Sequence, residues 1–310
     1  MLKILITGGA GFIGSNIADA YIKNGHKVII VDNLSTGKNE NINPKAKFYL
    51  ADVSDSKKLK EIFKKEKPDI VNHHAAQLDV RKSVQDPSFD AKINILGTLN
   101  ILQNCIEFKT KKIIFASSGG TIYGECEKSP ASETKQGEPL SPYGIAKFAT
   151  EFYIKSFAQL HGLKYTILRY SNVFGPRQDP HGEAGVVAIF TGKMLANENL
   201  FIFGNGKQLR DYVYIGDLVR ANLAALSKGN NETVNIGTQK GRSVNDLFKV
   251  MSKITKYNKK PIYKPSRAGE LFRSVLSINK AMKVLKWKPE ISFENGLENT
   301  INFFKNRKNI

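Results

Sequence analysis

The segment Thr7-Gly8-Gly9-Ala10-Gly11-Phe12-Ile13-Gly14 constrains this chain more than any other, because of what flanks it. Lys3 to Thr7 is a short apolar run that reads as a strand, and Phe12 to Asn24 repeats apolar residues with a helical period. A strand that turns at once into a helix needs residues without side chains. Gly8 and Gly11 let the backbone turn tightly and approach a ligand, and Gly14 lets the helix pack close to the sheet. The helix N-terminus favours negative charge. Strand, glycines and helix in this order are what a dinucleotide pyrophosphate requires.

The rest of the first half repeats the alternation. Lys27 to Asp32, Lys47 to Leu50, Ile70 to His73, Lys112 to Ala116 and Leu163 to Arg169 read as strands. Helical patterns at Ser56 to Glu66, Asp90 to Phe108 and Pro142 to His161 lie between them. The expected fold is α/β, a Rossmann-type doubly wound parallel sheet with a smaller, loop-rich α/β lobe. After about Gly175 the elements shorten and Gly and Pro interrupt them. Helices are expected at Gly216 to Ser227, Val244 to Lys256, Ile278 to Leu285 and Phe293 to Phe304. The division predicted is 1–175 for the dinucleotide and 176–310 mainly for substrate, with segments near 201–228 able to return to the first lobe.

A chain of 310 residues with 41% hydrophobic and 24% charged residues can bury a full core. No apolar run approaches the roughly 20 residues of a membrane helix, and the apolar N-terminus stops at Gly8, too soon for a signal peptide. Cys105 and Cys126 form no disulfide framework or metal spacing. A cytoplasmic protein with no membrane association is expected. The net charge of +19 suggests nucleic acid, but 38 of the 47 basic residues are scattered Lys rather than clusters with aromatics. No specific nucleic-acid partner is predicted.

Asp32 ends the second strand 18 residues after Gly14, near the place of a ribose ligand. Its carboxylate would accept from both ribose hydroxyls and repel a 2′-phosphate, so NAD is favoured over NADP. Asp52 could meet the adenine edge or cap the helix that begins at Ser56. His73 and His74 are adjacent on a strand and point to opposite faces, so no metal site is expected.

Tyr143 and Lys147 lie four residues apart on one helical face, behind a Ser141 cap and Pro142. A phenol ionises near pH ~10, and a neighbouring cation favours the phenolate, making it a usable base. The alternative is a chance pair on a solvated face.

Together the glycines, Asp32, Ala75-Ala76, Ser117-Ser118, Tyr143 and Lys147 resemble the extended short-chain dehydrogenase/reductase family, nearly end to end. Arg169 to Arg177 and Arg210 to Leu218 resemble its nucleotide-sugar members, and the nearest likeness is to UDP-glucose 4-epimerases. The resemblance implies an NAD-dependent isomerase acting on a UDP-sugar, and a homodimer formed through the helices at 90–108 and 142–161. It places Gly8, Gly11, Phe12, Ile13 and Gly14 on the cofactor, with Asp32, Asn33, Ser35, Thr36 and Gly37. Asp52, Val53, His74, Ala75, Ala76 and Gln77 follow, then Asn94, Ser117, Tyr143, Lys147 and Tyr170. Substrate would meet Ser118, Thr121, Tyr143, Asn172 and Val187, then Phe201, Phe203, Arg210, Arg267 and Glu270. Only 9 Arg occur, so Arg177, Arg210 and Arg267 stand out as partners for a diphosphate, against a reading as surface ion pairs.

One position departs from the family pattern. Gly119 stands where a Ser or Thr usually meets the sugar 4-oxygen, leaving Ser118 or Thr121 to take over, with a lean toward Thr121. Related 4,6-dehydratases carry Asp-Glu at Gly120-Thr121, and UDP-glucuronate decarboxylases carry Glu at Thr121. Lacking these carboxylates, the chain suits oxidation at C4, rotation and reduction of UDP-glucose or UDP-galactose. Ser274, where relatives can have a bulky Tyr, would also admit UDP-GlcNAc and UDP-GalNAc. The alternatives are UDP-glucuronate 4-epimerase or decarboxylase, dTDP-glucose 4,6-dehydratase, or a non-enzymatic NAD-binding sensor or interaction module.

Overall fold

The structure, a computed structural model, describes residues 1–126, 130–180, 185–266 and 271–306. Its strands are β1 (Lys3–Thr7), β2 (Lys27–Asp32), β3 (Lys47–Leu50), β4 (Ile70–His73), β5 (Lys112–Ser118) and β6 (Lys164–Tyr170). They continue with β7 (Asn172–Phe174), β8 (Phe201–Phe203), β9 (Leu209–Tyr214), β10 (Glu232–Ile236), β11 (Gly241–Ser243), β12 (Ile262–Lys264) and β13 (Arg273–Ser274). The helices are α1 (Phe12–Lys23), α2 (Ser56–Glu66), α3 (Val80–Gln85), α4 (Pro87–Ala91), α5 (Gly97–Glu107) and α6 (Gly119–Ile122). After them come α7 (Pro142–His161), α8 (Val186–Leu195), α9 (Ile215–Ala225), α10 (Val244–Thr255), α11 (Asn279–Val284) and α12 (Phe293–Lys305).

Seven strands form one parallel sheet in the order β10-β6-β5-β4-β1-β2-β3. The order reverses at β1, whose neighbours β2 and β4 lead away in opposite directions. That reversal opens a crevice at the carboxyl ends of the strands, where open α/β sheets bind ligands. The two-residue period sends Ile4 and Ile6 into a core shared with Ile17, Leu218 and Leu285. Leu5 goes to the other face with Leu59, Ile101 and Ile154. The doubly wound α/β sheet matches the expected fold.

A third core, with Phe190, Leu247 and Ile301, holds α8, α10 and α12 together in the second half. There β11, β9 and β13 pair, with β7 on β9, while β12 pairs with β8 alone. The segment expected to return near 201–228 is distributed. β8 stays in the small sheet, α9 packs on α1, and β10, beyond that range, forms the edge of the large sheet.

The helix expected from Asp90 to Phe108 is not continuous. It starts earlier, with Asp86 accepting from Phe89 N at 2.9 Å and Pro87 at its first position. A π turn then occupies Lys92–Leu96. Thr98 and Thr150 hydroxyls both donate to the Asn94 carbonyl, at 2.7 and 3.2 Å, competing with the helical ladder at that point. Among the described residues no helix is long and apolar enough to cross a membrane. Both cysteines are free and buried.

Between α7 and the sheet lies a buried ion pair. Arg169 Nε and Nη2 donate to Glu151 at 2.8 and 2.6 Å, Ser117 adds a third bond at 2.6 Å, and Arg169 Nη1 reaches Tyr123 Oη at 2.7 Å. Removing one partner strands the other charge in the interior. Glu151→Ala is expected to destabilise the protein by roughly 3–5 kcal/mol, read as a lower urea midpoint.

Candidate active site

The glycine turn is dictated by close approach. Gly8 has φ +69°, and a Cβ there would sit 2.7 Å from Ala75 N at the end of β4. A Cβ on Gly14 would meet the Gly8 carbonyl at 2.2 Å, so Gly14 lets α1 close on the turn itself rather than on the sheet. Gly11 caps α1 without a side-chain acceptor and no acid occupies the first turn. The N–H groups of Phe12 and Ile13 therefore belong to the unpaired start of the helix, an anion cradle.

Beside it, Asp32 is buried and accepts from Ala10 N at 2.9 Å and Leu34 N at 2.8 Å. One bond to each oxygen leaves lone pairs for a diol. The loop Ser35-Thr36-Gly37 folds over it, so close that a Cβ on Gly37 would lie 2.8 Å from Asp32 Oδ1. Asp52 does not cap the following helix. Asp55 does, accepting from Lys58 N at 3.0 Å. Asp52 instead accepts from Asn33 at 2.6 Å and Ser54 N at 2.7 Å. Burial opposes its charge, but these bonds and Lys92 outweigh it and hold the carboxyl below its usual range. Val53 is buried and in contact range of Gly97.

At the end of β4 the two histidines diverge, as adjacent strand residues must. His73 bonds Thr7 Oγ1 and Thr98 Oγ1, at 2.6 and 2.9 Å, inside the core. His74 Nε2 lies 3.1 Å from Tyr170 Oη, and burial, with Lys147, pushes its pKa down to about 3. Its Nδ1 is buried without a partner. Both rings are neutral, and among the described residues no group of three ligand-type side chains could hold a metal. The Ala75 N–H donates to Thr7 Oγ1 at 3.2 Å.

The sequence pattern gave no weight to Asp90 beyond a helix start. In the structure it is buried and accepts from Gln77 and Asn94, both at 2.9 Å. Its Oδ2, like Asn94 Oδ1, is buried without a partner. An acid and an amide four residues apart were the available signal.

Ser141 caps α7 by accepting from Gly144 N at 3.2 Å, with Pro142 at the first position. This turn sets Tyr143 and Lys147 against the end of β5. Lys147 is buried and donates to the Ala116 carbonyl at 3.0 Å. Its ammonium is 6.0 Å from the Tyr143 ring centroid, beside the ring rather than on the phenol oxygen. Burial lowers the Lys147 pKa to about 8, against the pull of Asp90. Burial, then Asp90, pushes the Tyr143 phenol above its ordinary value. In the cofactor-free protein burial and Asp90 thus oppose the phenolate that a neighbouring cation favours.

The hydroxyls separate. Ser117 faces Glu151 on the far side of β5, away from the crevice its neighbours line. A Cβ at Gly119 would strike Leu276 Cδ1 at 2.5 Å, so the buried Leu276 side chain would have to shift to admit a hydroxyl residue there. A Cβ at Gly120 would lie 3.9 Å from Ser118 Oγ and 4.0 Å from Asn172 Oδ1, with nothing nearer. Thr121 Oγ1 is buried without a partner. Ser118 and Asn172 thus border one space above Gly120, while the Thr121 hydroxyl is closed off from it.

Further out, Arg210 Nη1 donates to the Leu209 carbonyl at 3.0 Å on the strand that pairs with β7. Phe201 and Phe203 share a face of β8, with Lys264 Nζ 3.9 Å from the Phe201 centroid. Val187 is buried in the third core. Arg177 pairs with Asp19 at 2.7 Å, the ion-pair reading. Arg267 and Glu270 lie outside the described residues.

The chain matches the NAD dependent epimerase/dehydratase family over residues 4–237. It belongs to that family. It is similar to a UDP-glucose 4-epimerase from Thermotoga maritima solved with UDP-glucose, 53% identical over 97% of this chain and 98% of the other, with a TM-score of 0.96. A Thermus thermophilus UDP-glucose 4-epimerase in complex with NAD is 40% identical over 99% of this chain and all of its own, with a TM-score of 0.93. A UDP-glucose 4-epimerase of Mycolicibacterium smegmatis is 38% identical over 99% of each chain. The family's cofactor is NAD, and the anion cradle, the free lone pairs of Asp32 and the buried unpaired groups of His74 and Asn94 fit it.

The Lys147 pKa makes a testable demand. Because the folded value is below the unfolded one, the buried charge costs stability fully below about pH 8. That cost fades as pH rises toward the unfolded value. NAD-free Lys147→Met should therefore melt at or above the wild-type temperature at pH 7, with the advantage shrinking above pH 8. A scan of melting temperature against pH reads both.

Proposed function

We propose that this chain is an NAD-dependent 4-epimerase of UDP-hexoses, acting on UDP-glucose and UDP-galactose and admitting UDP-GlcNAc and UDP-GalNAc. What carries this reading is the Tyr143/Lys147 pair beside Ser118 and the unpartnered Thr121, with no carboxylate at Gly120 or Thr121. Dehydration would need an acid and a base near C5 and C6, and decarboxylation a Glu at Thr121, so neither is favoured.

The first lobe, 1–175 with later segments, holds the dinucleotide, and 176–310 mainly the sugar nucleotide. Gly8, Gly11 and the N–H groups of Phe12 and Ile13 cradle the pyrophosphate. Asp32 takes the adenosine ribose, and Asn33 with Asp52 and Val53 border the adenine. Bound NAD supplies the hydride acceptor at C4, a positive ring that favours the phenolate, and hydride return after the sugar has rotated. Lys147 orients the nicotinamide ribose from the floor of the site. Tyr143 takes the 4-hydroxyl proton and later returns it. Ser118 is the hydroxyl that shares the 4-oxygen with Tyr143, because it opens onto the space beside Asn172. Thr121, toward which the sequence leans, has its hydroxyl buried and supports the turn beneath Ser118 instead. Asn172 and Arg210 hold the diphosphate, and Phe201 and Phe203 offer a flat face for uracil.

The test is to incubate purified protein, without added NAD, with UDP-glucose, UDP-GlcNAc, UDP-glucuronate and dTDP-glucose. Interconversion of UDP-glucose and UDP-galactose is expected; dehydrated or decarboxylated products alone would refute the reading. Tyr143→Phe should retain NAD and lose at least about a hundredfold in kcat, and Ser118→Ala should cost more kcat than Thr121→Ala.

The working protein is a cytoplasmic homodimer in this reading. Ile145, Phe152, Tyr153 and Leu160 form an exposed apolar stripe on α7, next to exposed Phe89 and Leu96 on the elements packed against it. Phe152→Glu is expected to give a monomer by light scattering while the fold is kept; a wild-type monomer at all concentrations would refute the dimer.

A further inference from the structure

We propose that Glu125 is a positioning residue for the sugar nucleotide, a carboxylate clamp that fixes the start of segment 271–276 between the turn carrying Thr121 and the strand carrying Arg210. This rests on the epimerase reading above. Glu125 stands two residues after Tyr123, where the chain leaves α6. Its Oε2 accepts from Phe272 N at 2.7 Å and its Oε1 from Arg273 N at 2.6 Å. One side chain thus satisfies two successive backbone donors with charge-assisted bonds, the stronger kind. The Arg273 carbonyl answers with a bond from Cys126 N at 3.3 Å.

The same residues face β9 on their other side. Leu209 N donates to the Phe272 carbonyl at 2.7 Å, and Arg273 and Ser274 run parallel to Leu209 and Arg210. Segment 271–274 is therefore the strap through which the turn bearing Thr121 and the strand bearing Arg210 hold one spacing. Its far end is fixed by other means. Val275 and Leu276 are buried, Ala131 N donates to the Val275 carbonyl at 2.8 Å, and Asp211 accepts from Leu276 N at 3.2 Å.

Among the described residues the near end is held by backbone bonds to Leu209 and Cys126 and by Glu125, without a buried side chain of its own at Phe272. Phe272 is 57% exposed, and β13 is two residues long. The Glu125 carboxylate supplies what packing does not. A sugar nucleotide spans from the 4-oxygen beside Tyr143 to the diphosphate at Arg210, so a shift of the strap changes how both ends are met together. The chemistry at C4, on the other side of the turn, keeps its own supports in α7 and β5. Loss of the clamp should weaken substrate binding more than turnover.

Glu125→Ala and Glu125→Gln test this with UDP-glucose and the protein as purified with NAD. Glu125→Ala is expected to raise KM about tenfold, with kcat at saturation and NAD content within about twofold of wild type. Glu125→Gln, which keeps one acceptor oxygen, should fall between, and it decides the matter should Glu125→Ala not fold. Amide exchange at Phe272 and Arg273 should quicken in both variants. An unchanged KM in an active background, a fall in kcat with KM unchanged, or unchanged exchange at these amides would overturn the clamp. A wild-type protein inactive on UDP-glucose would instead refute the epimerase reading, leaving the exchange measurement to judge the clamp.

Discussion

The face of α7 that carries Tyr143, Lys147 and Glu151 at four-residue intervals is held against the sheet by polar bonds, and the whole site depends on that. Lys147 reaches the Ala116 carbonyl and Glu151 reaches Ser117 and Arg169, so two consecutive residues of β5 are each gripped by one turn of the helix. Hydrophobic packing alone tolerates sliding and repacking. Directional bonds to fixed backbone and to a bidentate guanidinium do not. Tyr143 sits one turn nearer the N-terminus, behind the Ser141 cap, so its position follows from those below it.

This arrangement places charge in the interior at a cost. Lys147 has a backbone carbonyl as hydrogen-bond partner and Asp90 as its counter-charge, and burial still pulls its pKa to about 8. The same Asp90 acts against ionisation of Tyr143. The cofactor-free protein is thus set with a protonated phenol and a strained ammonium. With a positive nicotinamide ring at this place the balance for Tyr143 would reverse, and the proton chemistry would depend on the oxidation state of the cofactor. For a reaction that must take a proton with hydride removal and return it with hydride delivery, that dependence matches the demand.

The first lobe was legible because parallel strands buried on both faces give unbroken apolar runs, and because glycine turns and helix caps are local. Strands β1 to β4 and helix α7 fall where the pattern puts them. Two of the misreadings are non-local. The π turn at Lys92–Leu96 arises partly from Thr150, a residue 56 positions from the Asn94 carbonyl it bonds. β10 joins the large sheet from far along the chain, a pairing that no local period encodes. Asp52 stands four residues ahead of Ser56 and Asp55 directly before it, so the cap falls to Asp55 and Asp52 turns to Asn33 and Ser54. Of Ser117 and Ser118, one had to face away from the crevice, since strand side chains alternate. A strand buried on both sides hides which.

Gly119 raises the same issue for the site. As a gap in a sequence pattern it reads as a missing catalytic hydroxyl. In three dimensions it is the contact point of Leu276, whose side chain occupies the place a Cβ would take. Leu276 is fully buried, held by Asp211 through its N–H, and lies at the end of the strap that carries Ser274 past Arg210. The glycine therefore lets the segment ending at Leu276 press onto the turn that carries Thr121. Ser118, one residue earlier on the strand, opens instead onto the space beside Asn172.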